Sequence, residues 1–123
     1  MEKRTEKLIK ASLKGKASGF GKKSYSSLPN FIIIGAAKSA TTTLTTVLRR
    51  HPDVFISKPK EPKFFGRNYS KGWKWYASRF AAGEKFSLRG EASTMYSSSL
   101  SPYRWSPELM SRFLPSLKLI YIV

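Results

Sequence analysis

The pattern of apolar and polar residues predicts strands that alternate with helices. The strongest strand signal is the run Phe-Ile-Ile-Ile at 31–34, which is too short for a helix and is bounded by Pro29-Asn30 and Gly35. A continuous apolar run of this kind is typical of a strand that is buried on both faces. Weaker patterns predict further strands over 53–57, 86–90 and 117–123, and helices over 2–14, 40–50, 71–82 and 106–114.

The turn after the first strand has the features of an anion site. Residues 35–43 are small or polar apart from Lys38, and apolar residues at helical spacing follow them. The N-terminus of a helix presents unpaired backbone N–H groups and a partial positive charge, to which Lys38 adds a full charge. A second interpretation stays open, in which Ser39 and the threonines at 41–43 only cap an ordinary helix. The lysine in the middle of the turn favours the anion site.

The spacing of this turn differs from that of a nucleotide-triphosphatase loop. A Walker A loop reads GxxxxGK[ST], whereas here Lys38 follows Gly35 by three residues and the turn has no second glycine. A P-loop nucleotide kinase-like protein is therefore an alternative that the spacing weakens.

Two glutamates follow predicted strands. Glu61 lies between Lys60 and Lys63 in a segment that two prolines hold extended, so neighbouring positive charges favour its carboxylate form and make it a candidate general base. A surface glutamate paired with the same lysines is the alternative. Glu91 follows the predicted strand over 86–90, at the edge where open α/β sheets bind their ligands.

The chain is strongly basic. Its 123 residues include 23 Lys and Arg against 7 Asp and Glu, which gives a formal net charge of +16. A non-enzymatic nucleic-acid-binding protein is therefore another alternative. No RNA- or DNA-binding motif accompanies the charge, and an enzyme that handles anionic substrates also benefits from a positive potential. We therefore expect no specific nucleic-acid partner.

The first 27 residues are basic and contain few large apolar side chains, which predicts a flexible N-terminal arm. Weak contact of residues 1–14 with a membrane surface is an alternative role for this arm. No run approaches the roughly 20 apolar residues of a membrane span. The chain has no cysteine, which is compatible with a reducing compartment, and we expect a cytoplasmic location. His51 is the only histidine, which argues against a histidine-based metal site.

The turn resembles that of a known family. Sulfotransferases that use 3'-phosphoadenosine 5'-phosphosulfate (PAPS) have a 5'-phosphosulfate loop that reads G-x-x-K-[ST]-G-T-[ST] after a strand, and this chain has GAAKSATT at 35–42. The likeness is to the branch that contains the heparan sulfate sulfotransferases and their bacterial relatives. Further blocks resemble the same branch in the same order, namely HPDV at 51–54, KEPKFF at 60–65, YSKGWKWY at 69–76, GEASTMY at 90–96 and the strand at 118–123.

The resemblance implies a fold and a reaction. The fold is α/β of the P-loop-containing nucleotide-hydrolase type, a parallel sheet with flanking helices, incomplete at the C-terminus. The reaction is transfer of a sulfuryl group from PAPS to a hydroxyl or amine of a small-molecule or glycan acceptor, with no metal. Glu61 takes the proton of the acceptor and Lys38 stabilises the charge on the leaving group. The implied cofactor-binding residues are Lys38, Ser39, Ala40, Thr41, Thr42 and Thr43, and the candidate acceptor-binding residues are Lys60, Lys63 and Glu91.

The chain departs from the family pattern in two respects. Ala40 stands where the family has glycine, and a positive φ at this position would cost alanine roughly 1 kcal/mol. The family's arginine and serine that bind the 3'-phosphate follow the strand that occupies 118–123, and members of the family need roughly twice this length. We therefore expect residues 28–123 to be the N-terminal part of a sulfotransferase domain, with half a cofactor site and little or no activity alone.

Overall fold

A parallel sheet forms the middle layer of the protein. The structure is a computed structural model, and it describes residues 2–15, 25–58 and 60–123. The sheet has four strands in the spatial order β2-β3-β1-β4. The strands are β1 (Phe31–Gly35), β2 (Val54–Ile56), β3 (Leu88–Ala92) and β4 (Lys118–Tyr121).

The α-helices are α1 (Glu2–Leu13), α2 (Thr41–Arg49), α3 (Gly72–Ser78) and α4 (Ser106–Phe113). Short 3-10 helices occupy Tyr69–Lys71, Ala81–Gly83, Thr94–Ser97 and Tyr103–Trp105. The predicted α/β fold with a parallel sheet is confirmed.

The strand β1 lies inside the sheet because it is apolar on both faces. It pairs with β3 on one side and with β4 on the other. Successive side chains point to opposite faces, so Ile32 joins one hydrophobic layer while Phe31 and Ile33 join the other. The carboxyl ends of β1 and β3 therefore meet at one edge of the sheet.

An aromatic layer covers the face of Ile32. The rings of Phe64 and Tyr76 stack with centroids 4.3 Å apart, and Phe65 and Trp73 meet in an edge-to-face arrangement at 5.8 Å. This layer holds the chain that follows Glu61 against α3. The aromatic residues of the predicted helix over 71–82 thus belong to the core.

The observed strands follow the prediction with small differences in length. The strand β3 continues to Ala92, two residues past the predicted end, because its pairing with β1 extends to Ile33 and Ala92. The helix α3 ends at Ser78, and the end of the predicted helix is the separate 3-10 turn Ala81–Gly83.

The helix α1 packs on the aromatic layer, which corrects the prediction of a flexible arm for residues 2–13. Ile9 has no exposed surface, and Leu8 and Leu13 pack against the same core. Arg112 of α4 donates to the carbonyl of Leu13 at 3.0 Å. The large apolar residues of the segment considered for membrane contact therefore pack inside the fold. Residues 16–24 of the predicted arm lie outside the described residues, and the helices that the structure describes include none with the length and hydropathy of a membrane span.

Candidate active site

The β1–α2 turn, residues 35–43, presents backbone N–H groups at the carboxyl edge of the sheet. The first backbone bond of α2 runs from Leu44 N–H to the Ala40 carbonyl at 3.0 Å. The N–H groups of residues 41–43 therefore precede the helical ladder, as at every helix N-terminus. The first turn of α2 contains no acidic residue, and Lys38 is exposed beside it. Small residues, a cation and free helix N–H groups together fit an anion such as phosphate or sulfate.

Capping does not account for the hydroxyl groups of this turn. The N-cap of α2 is Ala40, which makes no side-chain cap bond. The Thr42 hydroxyl instead accepts a hydrogen bond from Lys60 Nζ at 2.8 Å. The interpretation in which Ser39 and Thr41–43 merely cap a helix is therefore not favoured by the geometry.

The conformation of the turn requires two residues in the left-handed region. Lys38 has φ 61°, and Ala40 has φ 65° and ψ 24°. The positive φ considered at Ala40 is therefore present. A side chain with a Cβ is strained in this region, where glycine is not.

The second part of the site is the 60–65 segment. Lys60 Nζ contacts Thr42 of α2, as described above, and the carbonyl of Lys60 accepts from Ala92 N–H of β3 at 3.2 Å. Glu61 Oε1 accepts from the backbone N–H and from the hydroxyl of Thr94, each at 3.2 Å. Among the described residues, Glu61 Oε2 has no hydrogen-bond donor. Glu61 therefore lies at the same sheet edge as the β1–α2 turn, with one carboxylate oxygen held and the other available.

A cationic cleft of about 610 Å³ lies beside this segment. Lys63, Arg67 and Lys71 contribute positive charge, and no Asp or Glu is among the described residues that line it. Tyr103 forms part of the wall, and burial raises the pKa of its hydroxyl, with the charge of Glu61 adding to the rise and Arg67 opposing it. Lys63 thus faces the cleft, whereas Lys60 is directed to the β1–α2 turn.

Glu91 is buried, which corrects its assignment as an acceptor-binding residue. Its side chain has no exposed surface. The carboxylate accepts hydrogen bonds from Ser93 Oγ at 2.6 Å, from Tyr96 OH at 2.9 Å and from Tyr76 OH. Burial raises the pKa of Glu91 to about 7, and the three hydroxyl donors partly oppose this rise. We call these four residues the Glu91 cluster.

Sequence reasoning missed the residues that hold Glu61. Thr94 and Tyr96 are more than 30 residues away along the chain, and nothing in their spacing indicates contact with 61–65. The available signals were that β3 ends at the edge where ligands bind and that both residues lie in the block GEASTMY at 90–96, and neither signal indicates which residues they contact. The described residues contain no group of three or more His, Cys, Asp or Glu side chains that could hold a metal ion. The expectation that no metal is needed stays a prediction.

The sheet order and the lysine-bearing turn define an α/β protein of the P-loop-like type. No family model matches the chain. It is 37% identical over 106 residues to heparan sulfate glucosamine 3-O-sulfotransferase 3B1 of Mus musculus, covering 86% of this chain and 25% of that relative. It is 42% identical over 72 residues to the membrane-associated sulfotransferase kil1 of Dictyostelium discoideum, covering 56% of this chain and 15% of the relative.

A solved structure supports the same assignment. The sulfotransferase from Alicyclobacillus acidocaldarius matches with a TM-score of 0.63 and 29% sequence identity, covering 76% of this chain and 43% of that one. The chain belongs to the sulfotransferase family. It spans only 15 to 25% of the length of the two curated relatives.

Proposed function

We propose that this chain supplies the 5'-phosphosulfate site and the general base of a sulfotransferase that moves a sulfuryl group from PAPS to a hydroxyl or amine. The observation that carries the proposal is the hydrogen bond between Lys60 and Thr42, because it joins the segment of Glu61 to the N-terminus of α2. PAPS supplies the activated sulfuryl group. The chain's own residues then have to bind it, orient the acceptor and remove a proton.

The β1–α2 turn is the proposed binding site for the 5'-phosphate end of PAPS. The N–H groups of residues 41–43 and the hydroxyl groups of Ser39 and Thr41–43 are suitable donors to its oxygen atoms. The ammonium group of Lys38 is suited to stabilise negative charge that grows on the leaving group. Ala40 contributes through its backbone, which turns the chain into α2.

Glu61 is the proposed general base. Thr94 fixes one of its carboxylate oxygens, which leaves Oε2 to accept the proton of the acceptor. A fixed carboxylate loses less entropy when it reaches the reacting geometry, because its side chain is already oriented.

The acceptor, a small molecule or a glycan, is proposed to enter the cationic cleft next to Glu61. Lys63 connects the two features, since it lines the cleft and follows Glu61 by two residues. The three cations of the cleft favour an acceptor that carries negative charge. The curated relatives include heparan sulfate sulfotransferases, which agrees with an acceptor of this kind. A cytoplasmic location stays a prediction.

The proposal is tested by ligand competition and by transfer. We expect adenosine 3',5'-bisphosphate, and not ATP, to displace PAPS in calorimetric titrations. For the protein that the complete open reading frame encodes, we expect transfer of radiolabelled sulfur from PAPS to members of a panel of phenol, amine and glycan acceptors.

Glu61→Gln should reduce this transfer by about 10²- to 10⁴-fold while PAPS binding stays unchanged. Glu108→Gln, an exposed glutamate on α4, is the matched control and should leave both quantities unchanged. Equal transfer by wild type and Glu61→Gln would remove Glu61 as the base, and displacement of PAPS by ATP would favour the kinase-like alternative.

A further inference from the structure

The Glu91 cluster connects to the 60–65 segment through two of its hydroxyl groups. Ser93 Oγ donates to Glu91 and accepts from Lys63 N–H at 3.1 Å. Tyr96 OH donates to Glu91 and accepts from Phe64 N–H at 2.8 Å and, more weakly, from Phe65 N–H at 3.4 Å. Each hydroxyl thus joins the buried carboxylate to a backbone amide just beyond Glu61.

The carboxylate determines the direction of both hydroxyl groups. A hydroxyl has one hydrogen, and when it donates to Glu91 its lone pairs are left to accept from the backbone. Lys63 has φ 52°, a left-handed conformation that a lysine adopts only where its surroundings enforce it. The amides of residues 63–65 donate to the hydroxyl groups of Ser93 and Tyr96 in the Glu91 cluster. Thr94, which lies between these two residues in the chain, donates to Glu61 itself.

We propose that Glu91 is a positioning residue for Glu61, acting through Ser93 and Tyr96 on the backbone of residues 63–65. Glu91 has no exposed surface and does not line the cleft, so it is not placed to bind the acceptor or to take its proton. The catalytic consequence rests on the proposed function, whereas the backbone consequence does not.

Two substitutions in the Glu91 cluster form a matched pair. Tyr76→Phe and Tyr96→Phe each remove one hydroxyl donor from the same oxygen of Glu91, and both rings are fully buried in the same layer. Only Tyr96 also accepts from the amides of 64 and 65. A purely structural role of the cluster predicts similar effects of the two variants, and the positioning role predicts different ones.

The first measurement is amide hydrogen exchange of the 123-residue chain. With rates corrected for global stability, Tyr96→Phe should accelerate exchange at Phe64 by about tenfold, and Tyr76→Phe should leave it within about twofold of wild type. Equal rates at Phe64 in the two variants would overturn the proposal without reference to any activity.

The second measurement is sulfuryl transfer by the protein that the complete open reading frame encodes. Tyr96→Phe should lower kcat by about tenfold with little change in KM for PAPS, because the base is displaced while the phosphate site is intact. Tyr76→Phe should leave kcat within about twofold. Glu91→Gln, which keeps an acceptor oxygen, should retain more kcat than Glu91→Leu.

The outcomes separate the two proposals. Unchanged kcat in Tyr96→Phe would overturn the positioning role even if exchange at Phe64 is faster. Absence of transfer in wild type would contradict the proposed function, and the exchange comparison would then still decide whether the Tyr96 hydroxyl of the Glu91 cluster fixes the segment.

Discussion

The β1–α2 turn and the 60–65 segment lie at one edge of the sheet, yet they are held in different ways. The turn takes most of its shape from its own backbone, with two left-handed residues and the start of α2, and two backbone hydrogen bonds tie its first residues to Ile122. The segment is fixed by side chains from the end of β3 and the turn after it, namely Ser93, Thr94 and Tyr96. Contiguous residues can therefore build an anion site, whereas a carboxylate base depends on distant residues for its position.

This difference predicts different responses to substitution. In the turn, a change of side chain should alter ligand binding and leave the rest of the fold intact. For the 60–65 segment, loss of the Tyr96 hydroxyl that holds its backbone should alter both stability and catalysis, because buried hydrogen-bonded groups are involved.

Among the variants that test this comparison, the largest effect is expected for Lys38→Ala in the turn. Loss of the ammonium group should reduce transfer by about 10²- to 10³-fold and weaken PAPS binding, because charge on the leaving group loses its main stabiliser. Calorimetry and transfer assays measure these effects. Lys85→Ala removes the same charge from an exposed lysine before β3, at the opposite edge of the sheet, and should change neither. Similar losses in both variants would mean that overall charge, and not the turn, binds the anion.

The next effect concerns the pH dependence of Glu91. Its pKa is raised by burial from 4.5 to about 7, so between these values the folded protein holds a proton that the unfolded chain releases. The free energy of unfolding should therefore decrease as pH rises from about 4.5 to 7, on the order of 3 kcal/mol, and level off above. The groups that act on Glu91 are Tyr76 of α3, Ser93, Tyr96 and the charge of Glu61.

Urea unfolding of wild type and Glu91→Gln between pH 5 and pH 8 measures this contribution as a difference. Groups other than residue 91 cancel in the comparison, so the wild type should lose stability relative to Glu91→Gln as pH rises. Parallel pH profiles of the two proteins would contradict the assignment of this titration to Glu91.

A smaller effect is expected for Ala40→Gly. Glycine removes the strain of a Cβ at φ 65°, and after the greater freedom of the unfolded chain is subtracted the free energy of unfolding should rise by up to about 1 kcal/mol. Ala37→Gly is the matched control, because Ala37 is exposed in the same turn and is not among the described residues with positive φ. That variant should instead destabilise by up to about 1 kcal/mol through the greater freedom of the unfolded chain. Denaturant titrations with the same sign for both variants would argue against strain at Ala40.

The smallest effect is expected for the contact that joins the two regions. Denaturant titration measures the free energy of unfolding of Lys60→Met, of Thr42→Val and of their double variant. The double-mutant cycle should give a coupling energy of about 0.5 kcal/mol, since the hydrogen bond is exposed to solvent. A larger coupling in the presence of PAPS than in its absence would show that the ligand tightens the contact. No coupling in either state would mean that the two regions act independently.

Much of the fold could be predicted from the chain in order. The apolar run at 31–34 indicated the inner strand, and the turn with Lys38 indicated an anion site, because both signals are carried by neighbouring residues. The helix predicted over 2–14 is present as α1, whereas the predicted flexibility was wrong for residues 2–13, since the sequence did not show the aromatic layer on which this helix packs. Glu91 was assigned to the acceptor because strand ends often carry ligand-binding groups, whereas its side chain turns inward to three hydroxyl donors.

The inner strand, the lysine-bearing turn and the family could therefore be recognised from the amino-acid sequence alone. Their physical basis is local, since apolar periodicity, helix N–H groups and backbone conformation arise from residues close along the chain. Three features became visible only in the folded protein, namely the hydrogen bond from Lys60 to Thr42, the hydrogen bonds from Thr94 to Glu61 and the burial of Glu91. Such contacts depend on parallel strands that bring together residues 18 to 33 positions apart, and the spacing of these residues does not encode them.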